Sequence, residues 1–277
     1  MIEKASIEMI ASCVLCTIVL TSSLTAAGRF SLGSNLTRNA LAMPSQSAGT
    51  GSDGLKTTRE SPLACNALAL NQQQRKRIRE LLDGFKVRIE GVDELSDGYS
   101  MRFSNAPSNI AELGEYIGLE RLCCPFFDFA IKADRERGAV HISLTGRNGV
   151  KEFARAEFDV GNVSKDRDGE DASSRAPSPL ICNDRALTSG QLQRLTSLLR
   201  EFRAAKSSVR KLTDGYAISL PADERFILDV AEYMVIVRLC SPYFETTLSV
   251  EREGGPVWLS VTGRDGVKRL AKTELGL

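Results

Sequence analysis

Four residues in the first half of the chain could together bind a soft metal ion. Glu120, Cys123 and Cys124 lie within one turn of a predicted helix, and Cys65 lies 58 residues before Cys123. Thiolates bind soft or borderline divalent ions, which also accept a carboxylate as a further ligand. The C-terminal end of a helix and a nearby carboxylate both raise the pKa of a thiol, which disfavours a nucleophilic role. We therefore predict that Cys65, Glu120, Cys123 and Cys124 bind a soft divalent metal ion.

Two other functions are consistent with the same cysteines. The first is a structural or protein-interaction tandem module in which each repeat contains one disulfide. The second is a thiol oxidoreductase, which needs a cysteine whose pKa is lowered. The single histidine, His141, excludes a multi-histidine metal centre. The sequence identifies no catalytic residue and no cofactor other than the predicted metal ion.

An internal repeat organises the chain. Residues 61–158 align without a gap on residues 178–275, and about 38 of the 98 aligned positions are identical. The alignment predicts a tandem duplication. Each unit is also large enough to have its own core. The shared motifs are Ser-Pro-Leu-x-Cys-Asn from Ser61 and Ser178, Asp-Gly-Tyr from Asp97 and Asp214, Arg-Leu-Cys-x-Pro from Arg121 and Arg238, and Thr-Gly-Arg-x-Gly-Val-Lys from Thr145 and Thr262.

The repeat predicts two pairs of thiols. Cys65 with Cys123, and Cys182 with Cys240, have the same spacing of 58 residues. In an exported protein each pair is expected to be a structural disulfide, whereas in the cytosol packing or metal binding would explain the pairs better. Cys124 is then left over.

The second repeat lacks two of the four candidate ligands. Val237 and Ser241 stand at the positions of Glu120 and Cys124. We therefore predict that the first repeat carries the site and that the second repeat is supportive.

Local signals predict the elements of each repeat. The patterns Asn-x-x-Gln from Asn71 and Thr-x-x-Gln from Thr188 are capping boxes that start an amphipathic helix. The dipeptide Asp97-Gly98 predicts a hairpin with a type I′ turn, and a second helix is expected from about Asn109 to Cys124. The predicted fold is α+β, with two tandem α-β-β-α-β-β-α repeats, each an antiparallel sheet with helices on one face.

One segment resembles a known motif. Residues 120–129, with the sequence ERLCCPFFDF, are similar to a motif of small bacterial proteins whose activity is unknown, and a similar stretch is attached to some regulators of the mercury-resistance type. The resemblance covers each repeat, including the Leu-Thr-Gly-Arg and Gly-Val-Lys stretches. It implies a thiol pair in the first repeat. The second repeat departs from the motif at Val237, Ser241 and Tyr243.

The remaining segments predict the organisation and location of the protein. Residues 10–20 are apolar over the length of a signal-peptide core, and this run is shorter than the roughly 20 residues of a membrane span. We expect export to the periplasm or the exterior, with a cytoplasmic protein as the alternative. The predicted boundaries are a signal peptide or anchor at 1–27, a tether at 28–60, repeat 1 at 61–158, a linker at 159–177 and repeat 2 at 178–277.

Charge and hydropathy limit the partners. The net charge of +1 gives no support for binding nucleic acid. The basic run from Arg75 to Arg79 is expected to be a solvated helix face, because the second repeat does not keep it. No stable membrane span is expected beyond the N-terminal segment, and no protein partner is indicated.

Overall fold

The computed structural model describes residues 60–160 and 177–277, which belong to one compact unit. Apart from a few end residues, the predicted signal peptide or anchor (1–27), tether (28–60) and linker (159–177) lie outside the described residues. Within the described part of the chain, no helix combines the length and the apolar character that crossing a bilayer requires.

The order of elements is α-β-β-α-β-β-α in both described segments. The first half (residues 60–160) contains α1 (Gln72–Arg88), β1 (Gly91–Glu94), β2 (Gly98–Phe103), α2 (Pro107–Cys123), β3 (Asp128–Ala133), β4 (Val140–Thr145) and α3 (Val150–Glu157). The second half (residues 177–277) contains α4 (Ser189–Ala205), β5 (Ser208–Lys211), β6 (Tyr216–Leu220), α5 (Glu224–Cys240), β7 (Phe244–Val250), β8 (Val257–Gly263) and α6 (Val267–Glu274).

All eight strands form one antiparallel sheet, in the order β1-β2-β4-β3-β7-β8-β6-β5. The prediction of a separate sheet in each repeat is therefore wrong, although the α+β class is confirmed. The halves join where β3 pairs with β7, in a register that runs from Phe129↔Val250 to Ala133↔Thr246. Without this pairing, both strands would expose an edge of unpaired N–H and C=O groups. Pairing satisfies these groups, which favours one shared sheet over two separate ones.

Helices α2 and α5 pack against each other over the same junction. They approach closely at Gly114 of α2, where an added Cβ would lie 2.6 Å from the Cβ of Ala231 in α5. A contact of that length is too short for two carbon atoms, so the glycine allows the helices to approach. The two helices that end in the cysteine motifs are thereby fixed relative to each other.

The predicted helix starts are confirmed. The side chains of Asn71 and Thr188 each accept a hydrogen bond from the backbone N–H three residues later, and the glutamine at that position accepts one from the backbone N–H of the cap residue. Each capping box satisfies N–H groups that have no partner within the helix. Both helices have 17 residues and bury a phenylalanine in their last turn, Phe85 in α1 and Phe202 in α4. The sequence thus specifies these helices locally.

The type I′ turn predicted at Asp97-Gly98 is wrong. Gly98 is the first residue of β2, and neither residue has a positive φ. Glycine is required for a different reason, because a Cβ at this position would collide with the carbonyl oxygen of Leu144 in β4. Gly98 therefore permits close pairing of β2 with β4.

The contact at Gly114 predicts a loss of stability on a small substitution. We expect Gly114→Ala to lower the free energy of unfolding by about 1–3 kcal/mol, because the added methyl group forces α2 away from α5. The matched control is Gly190→Ala in α4, where an added Cβ meets nothing within 4 Å. The control should gain up to about 1 kcal/mol from helix propensity. Urea unfolding measures both, and equal effects of the two substitutions would contradict the close packing.

Candidate functional site

The segment before α1 is held against the C-terminal end of α2. The N–H of Asn66 donates a hydrogen bond to the carbonyl oxygen of Cys123 at 2.7 Å. The N–H and the hydroxyl of Ser61 donate to the Glu253 carboxylate at 3.2 and 2.8 Å, and the Arg147 guanidinium donates to the Ser61 carbonyl. Cys65, which lies between the anchored residues Ser61 and Asn66, is thereby fixed beside the last turn of α2.

Each half also holds the helix end of the other half. The turn after β3 donates the N–H of Glu136 to the carbonyl of Pro242 at 2.5 Å, and the turn after β7 donates the N–H of Glu253 to the carbonyl of Pro125 at 2.7 Å. The Glu136 carboxylate accepts hydrogen bonds from the N–H and the hydroxyl of Ser178, just as the Glu253 carboxylate accepts them from Ser61. We call these contacts of Glu136 and Glu253 the reciprocal clasp. Both glutamates have a positive φ, 56° and 55°, which is unfavourable outside glycine and must be maintained by the surroundings.

The disulfide of the first half joins Cys65 to Cys124, with a Cα–Cα distance of 4.7 Å. The predicted pair of Cys65 with Cys123 is therefore wrong by one residue. Cys123 is the last residue of α2, and its thiol points back along the helix, 3.4 Å from the carbonyl oxygen and 3.6 Å from Oε2 of Glu120. Cys124 has left the helical conformation, with φ −125° and ψ 67°. The two adjacent cysteines therefore differ in backbone conformation and in partner.

The second half contains no corresponding disulfide. Cys182 and Cys240 are free thiols, so the predicted disulfide between them is also wrong. The N–H of Asn183 donates to the carbonyl of Cys240 at 2.9 Å, which is the same anchor as in the first half. Ser241 stands where the bonded Cys124 stands in the first half, and a hydroxyl cannot form the bond.

Three of the four predicted metal ligands come together. Ligand atoms of Cys65, Glu120 and Cys124 all lie within 4.8 Å of one another, and no other group of three such residues does so within the described ranges. Cys123, the fourth predicted ligand, contacts Glu120. Cys65 is partly buried, whereas Glu120 and Cys124 are buried, with 3% and 0% of their surface exposed. In the structure two of these ligands are bonded to each other, so the thiolates become available only after reduction.

A second carboxyl group lies next to this cluster. Glu157, in the last turn of α3, borders a cavity of about 60 Å³ that Glu120 and Cys123 also line. Burial raises the pKa of Glu120 well above its usual range and the charge of Glu157 raises it further, while the hydrogen bond from Cys123 opposes the change. Burial also raises the pKa of Glu157 to about 6, against an opposing effect of Lys86. Both pKa values are therefore shifted toward the protonated form, strongly for Glu120 and by a smaller amount for Glu157.

The sequence analysis did not identify Glu157. It lies 37 residues after Glu120, in a different helix, so no local motif connects the two carboxyl groups. A signal was present, since Glu274 occupies the aligned position in the second half and also has a raised pKa, mainly because of burial. An acidic residue kept at a partly buried position in both halves indicates a specific environment.

No family model, no curated protein and no solved structure matches the chain. The site is therefore interpreted from its own residues and their geometry.

The disulfide assignment predicts different effects for the two adjacent cysteines. We expect Cys124→Ser to abolish the crosslink and to lower the free energy of unfolding by roughly 2–4 kcal/mol, because the bond closes a loop between residues 59 apart. The control Cys123→Ser should retain the crosslink. Peptide mapping of non-reduced protein, followed by denaturant unfolding, measures both outcomes. A peptide that joins Cys65 to Cys123 would contradict the assignment.

The buried carboxyl groups predict a fall in stability with rising pH. Because the folded protein raises the pKa of both groups, their protonated forms stabilise the fold at low pH. This contribution is lost as the pH rises from about 4.5 through about 6 and then through the higher pKa of Glu120. Glu157→Gln should remove part of this loss, on the order of 1–2 kcal/mol at pH 8.

Urea unfolding at pH 4.5 and pH 8, with the disulfide intact and a chelator present, measures the change. The matched control is Glu152→Gln, which replaces an exposed glutamate of the same helix. If wild type and Glu157→Gln lose equal stability between the two pH values, Glu157 does not have a raised pKa.

Proposed function

We propose that the first half of this chain binds a soft divalent metal ion through Cys65, Cys124 and Glu120, with Cys123 beside them. The disulfide is then the oxidised, metal-free form of the site. A thiol or phosphine reductant supplies two electrons, two protons are taken up, and the disulfide becomes two thiols. The divalent ion then replaces the two thiol protons and binds the resulting thiolates. The observation that carries the proposal is that three ligand atoms lie within 4.8 Å of one another.

The charge environment supports a cation at this position. Glu120 is buried, and both its burial and the charge of Glu157 disfavour the ionised carboxylate. A divalent cation would reverse this effect, because it stabilises the carboxylate and the thiolates together. The position of both neighbouring cysteines at a helix C-terminus disfavours a thiolate without a metal. The same residues therefore suit a metal ligand better than a nucleophile.

We further propose that the two halves are tandem duplicates that have diverged in function. The identical positions, the matching order of elements and the matching backbone anchors support this view. The first half has Glu120 and Cys124 where the second half has Val237 and Ser241. These are two of the three residues in the ligand cluster, so the sequence difference falls on the proposed site.

A thiol oxidoreductase is the second candidate, because the disulfide lies beside a buried carboxylic acid. An external thiolate would attack the sulfur of Cys65, which is the less buried member of the pair. The Cys65–Cys124 bond would break, a mixed disulfide would form at Cys65, and Cys124 would leave as a thiolate. Glu120 would then donate a proton to that thiolate. This reaction needs a supplied thiol and no metal.

Counting cadmium ions in the reduced and disulfide-bonded protein tests metal binding. We expect phosphine-reduced wild type to bind one more cadmium ion than the disulfide-bonded wild type. Glu120→Val, which introduces the residue of the second half, should weaken the affinity for this additional ion at least about tenfold. Cys65→Ser should abolish its binding. Native mass spectrometry gives the number of ions, and thiolate-to-cadmium absorption gives the affinity.

The matched control is Glu115→Val, which removes a glutamate of the same helix that pairs with Arg77 at 2.6 Å. It should leave the additional ion in place. A purely structural disulfide predicts the same number of ions before and after reduction. If the number is unchanged and Glu120→Val instead slows reduction of the disulfide by a small thiol, the oxidoreductase is favoured.

A further inference from the structure

The two outer strands of the sheet have open edges. β1 and β5 are the first and last of the eight strands, so within the described residues each is paired on one side only. In β1 the N–H of Leu95 donates to the carbonyl of Gly98 at 3.0 Å, which closes the hairpin with β2. Hydrogen bonds alternate along an antiparallel strand, so the N–H groups of Val92 and Glu94 point away from the sheet. These groups can hydrogen-bond to another strand.

The edge of β5 matches the edge of β1 with its charge reversed. Asp93 and Glu94 of β1 align with Arg210 and Lys211 of β5, whereas the residue before each pair is a valine in both strands. All four charged residues are exposed. One end of the sheet is therefore acidic and the other end is basic.

Contacts within the chain leave these side chains accessible. Glu94 forms a salt bridge with Lys151 at 2.7 Å, but 65% of its side chain is exposed. Arg210 lies over the ring of Trp258, with its guanidinium carbon 3.6 Å from the ring centroid, and 61% of its side chain is exposed. Both side chains can therefore contact a strand that is added at the edge.

The strand order allows copies of the chain to add edge to edge without turning over. Neighbouring strands are antiparallel throughout the sheet, and there are eight of them, so β1 and β5 run in opposite directions. β5 of one copy is then antiparallel to β1 of the next copy in the same orientation. The sheet can continue across the contact with the same face on the same side.

The charges favour this contact over the two symmetric alternatives. When the outward N–H groups of both strands are matched, Asp93 of one copy lies opposite Arg210 of the next, and Glu94 is diagonal to Lys211 on the other face. Two β1 edges joined around a two-fold axis would instead place Asp93 opposite Asp93, and two β5 edges would place Arg210 opposite Arg210. Like charges directly opposite each other destabilise a strand pair.

We propose that copies of this chain associate edge to edge, with β1 of one copy added as the next antiparallel strand beside β5 of another. The contact joins two different surfaces, so association continues beyond a dimer or closes into a ring. Each of the two strands has four residues, so the contact is small and the association is weak. This association does not depend on metal binding by the first half.

Sedimentation velocity of the full chain tests the contact. We expect the sedimentation coefficient of wild type to rise between about 10 µM and about 500 µM protein. The rise should be larger at about 50 mM salt than at about 500 mM salt, because salt screens exposed charges. Asp93→Arg combined with Glu94→Lys makes both edges basic and should weaken association at least about tenfold. Arg210→Asp combined with Lys211→Glu makes both edges acidic and should have the same effect.

Recombining the charges distinguishes this contact from a general effect of net charge. An equimolar mixture of the two double variants should associate, because it again presents acidic edges to basic ones. A chain with all four substitutions has the net charge of wild type and should associate as wild type does. The matched control, Asp83→Arg combined with Glu152→Lys, makes the same change of net charge at exposed positions on α1 and α3 and should leave association unchanged.

Hydrogen exchange shows whether the backbone takes part. Association should slow exchange of the outward amides of β1 and β5, and circular dichroism verifies that the variants fold. A wild type that stays monomeric would overturn the proposal, and so would double variants that associate as strongly as wild type. Slow exchange of these amides in a monomer would mean that another segment of the same chain covers the edge, which would also overturn it.

Discussion

The reciprocal clasp is the constraint on which the arrangement of the cysteines depends. Glu253 of the second half binds Ser61 and the carbonyl of Pro125, and Glu136 of the first half makes the equivalent contacts. Each contact joins a segment before a first helix to the end of the second helix of the same half. Neither half can make these contacts alone, because the glutamate comes from the other half. The pairing of β3 with β7 places the two turns within reach.

Chemical differences between the halves are small changes on this shared scaffold. The anchor from Asn66 or Asn183 to the helix end is the same in both halves, and it brings the first cysteine to the same place. A single atom then decides the outcome, since a sulfur at Cys124 forms a disulfide and an oxygen at Ser241 leaves Cys182 a thiol. The carboxyl group that accepts a hydrogen bond from a cysteine thiol also differs. It is Glu120 on α2 in the first half and Asp184, two residues after Cys182, in the second half.

Burial of acidic groups beside thiols is a shared feature of the two halves. Glu157 and Glu274 occupy aligned positions near the cysteines, and burial raises the pKa of both. Placing a carboxyl group in such surroundings costs free energy unless it is protonated or paired. An apolar residue there would avoid this cost. A bound cation near such a group would offset the cost, because it favours the ionised carboxylate.

The sequence by itself determined the local features and the ligand neighbourhood, whereas the tertiary structure decided the bonding. Capping boxes and apolar periodicity specify α1 and α4, because these signals act within a few residues. The cysteine spacing shared by the repeats predicted that Cys65 lies at the end of α2. It could not distinguish Cys123 from Cys124, because adjacent residues have nearly the same spacing from Cys65. The backbone leaves the helix at Cys124, and this change of direction selects the bonded sulfur. Likewise, the joining of the two halves into one sheet and the approach of Glu157 to Glu120 depend on contacts between distant segments, which no local pattern encodes.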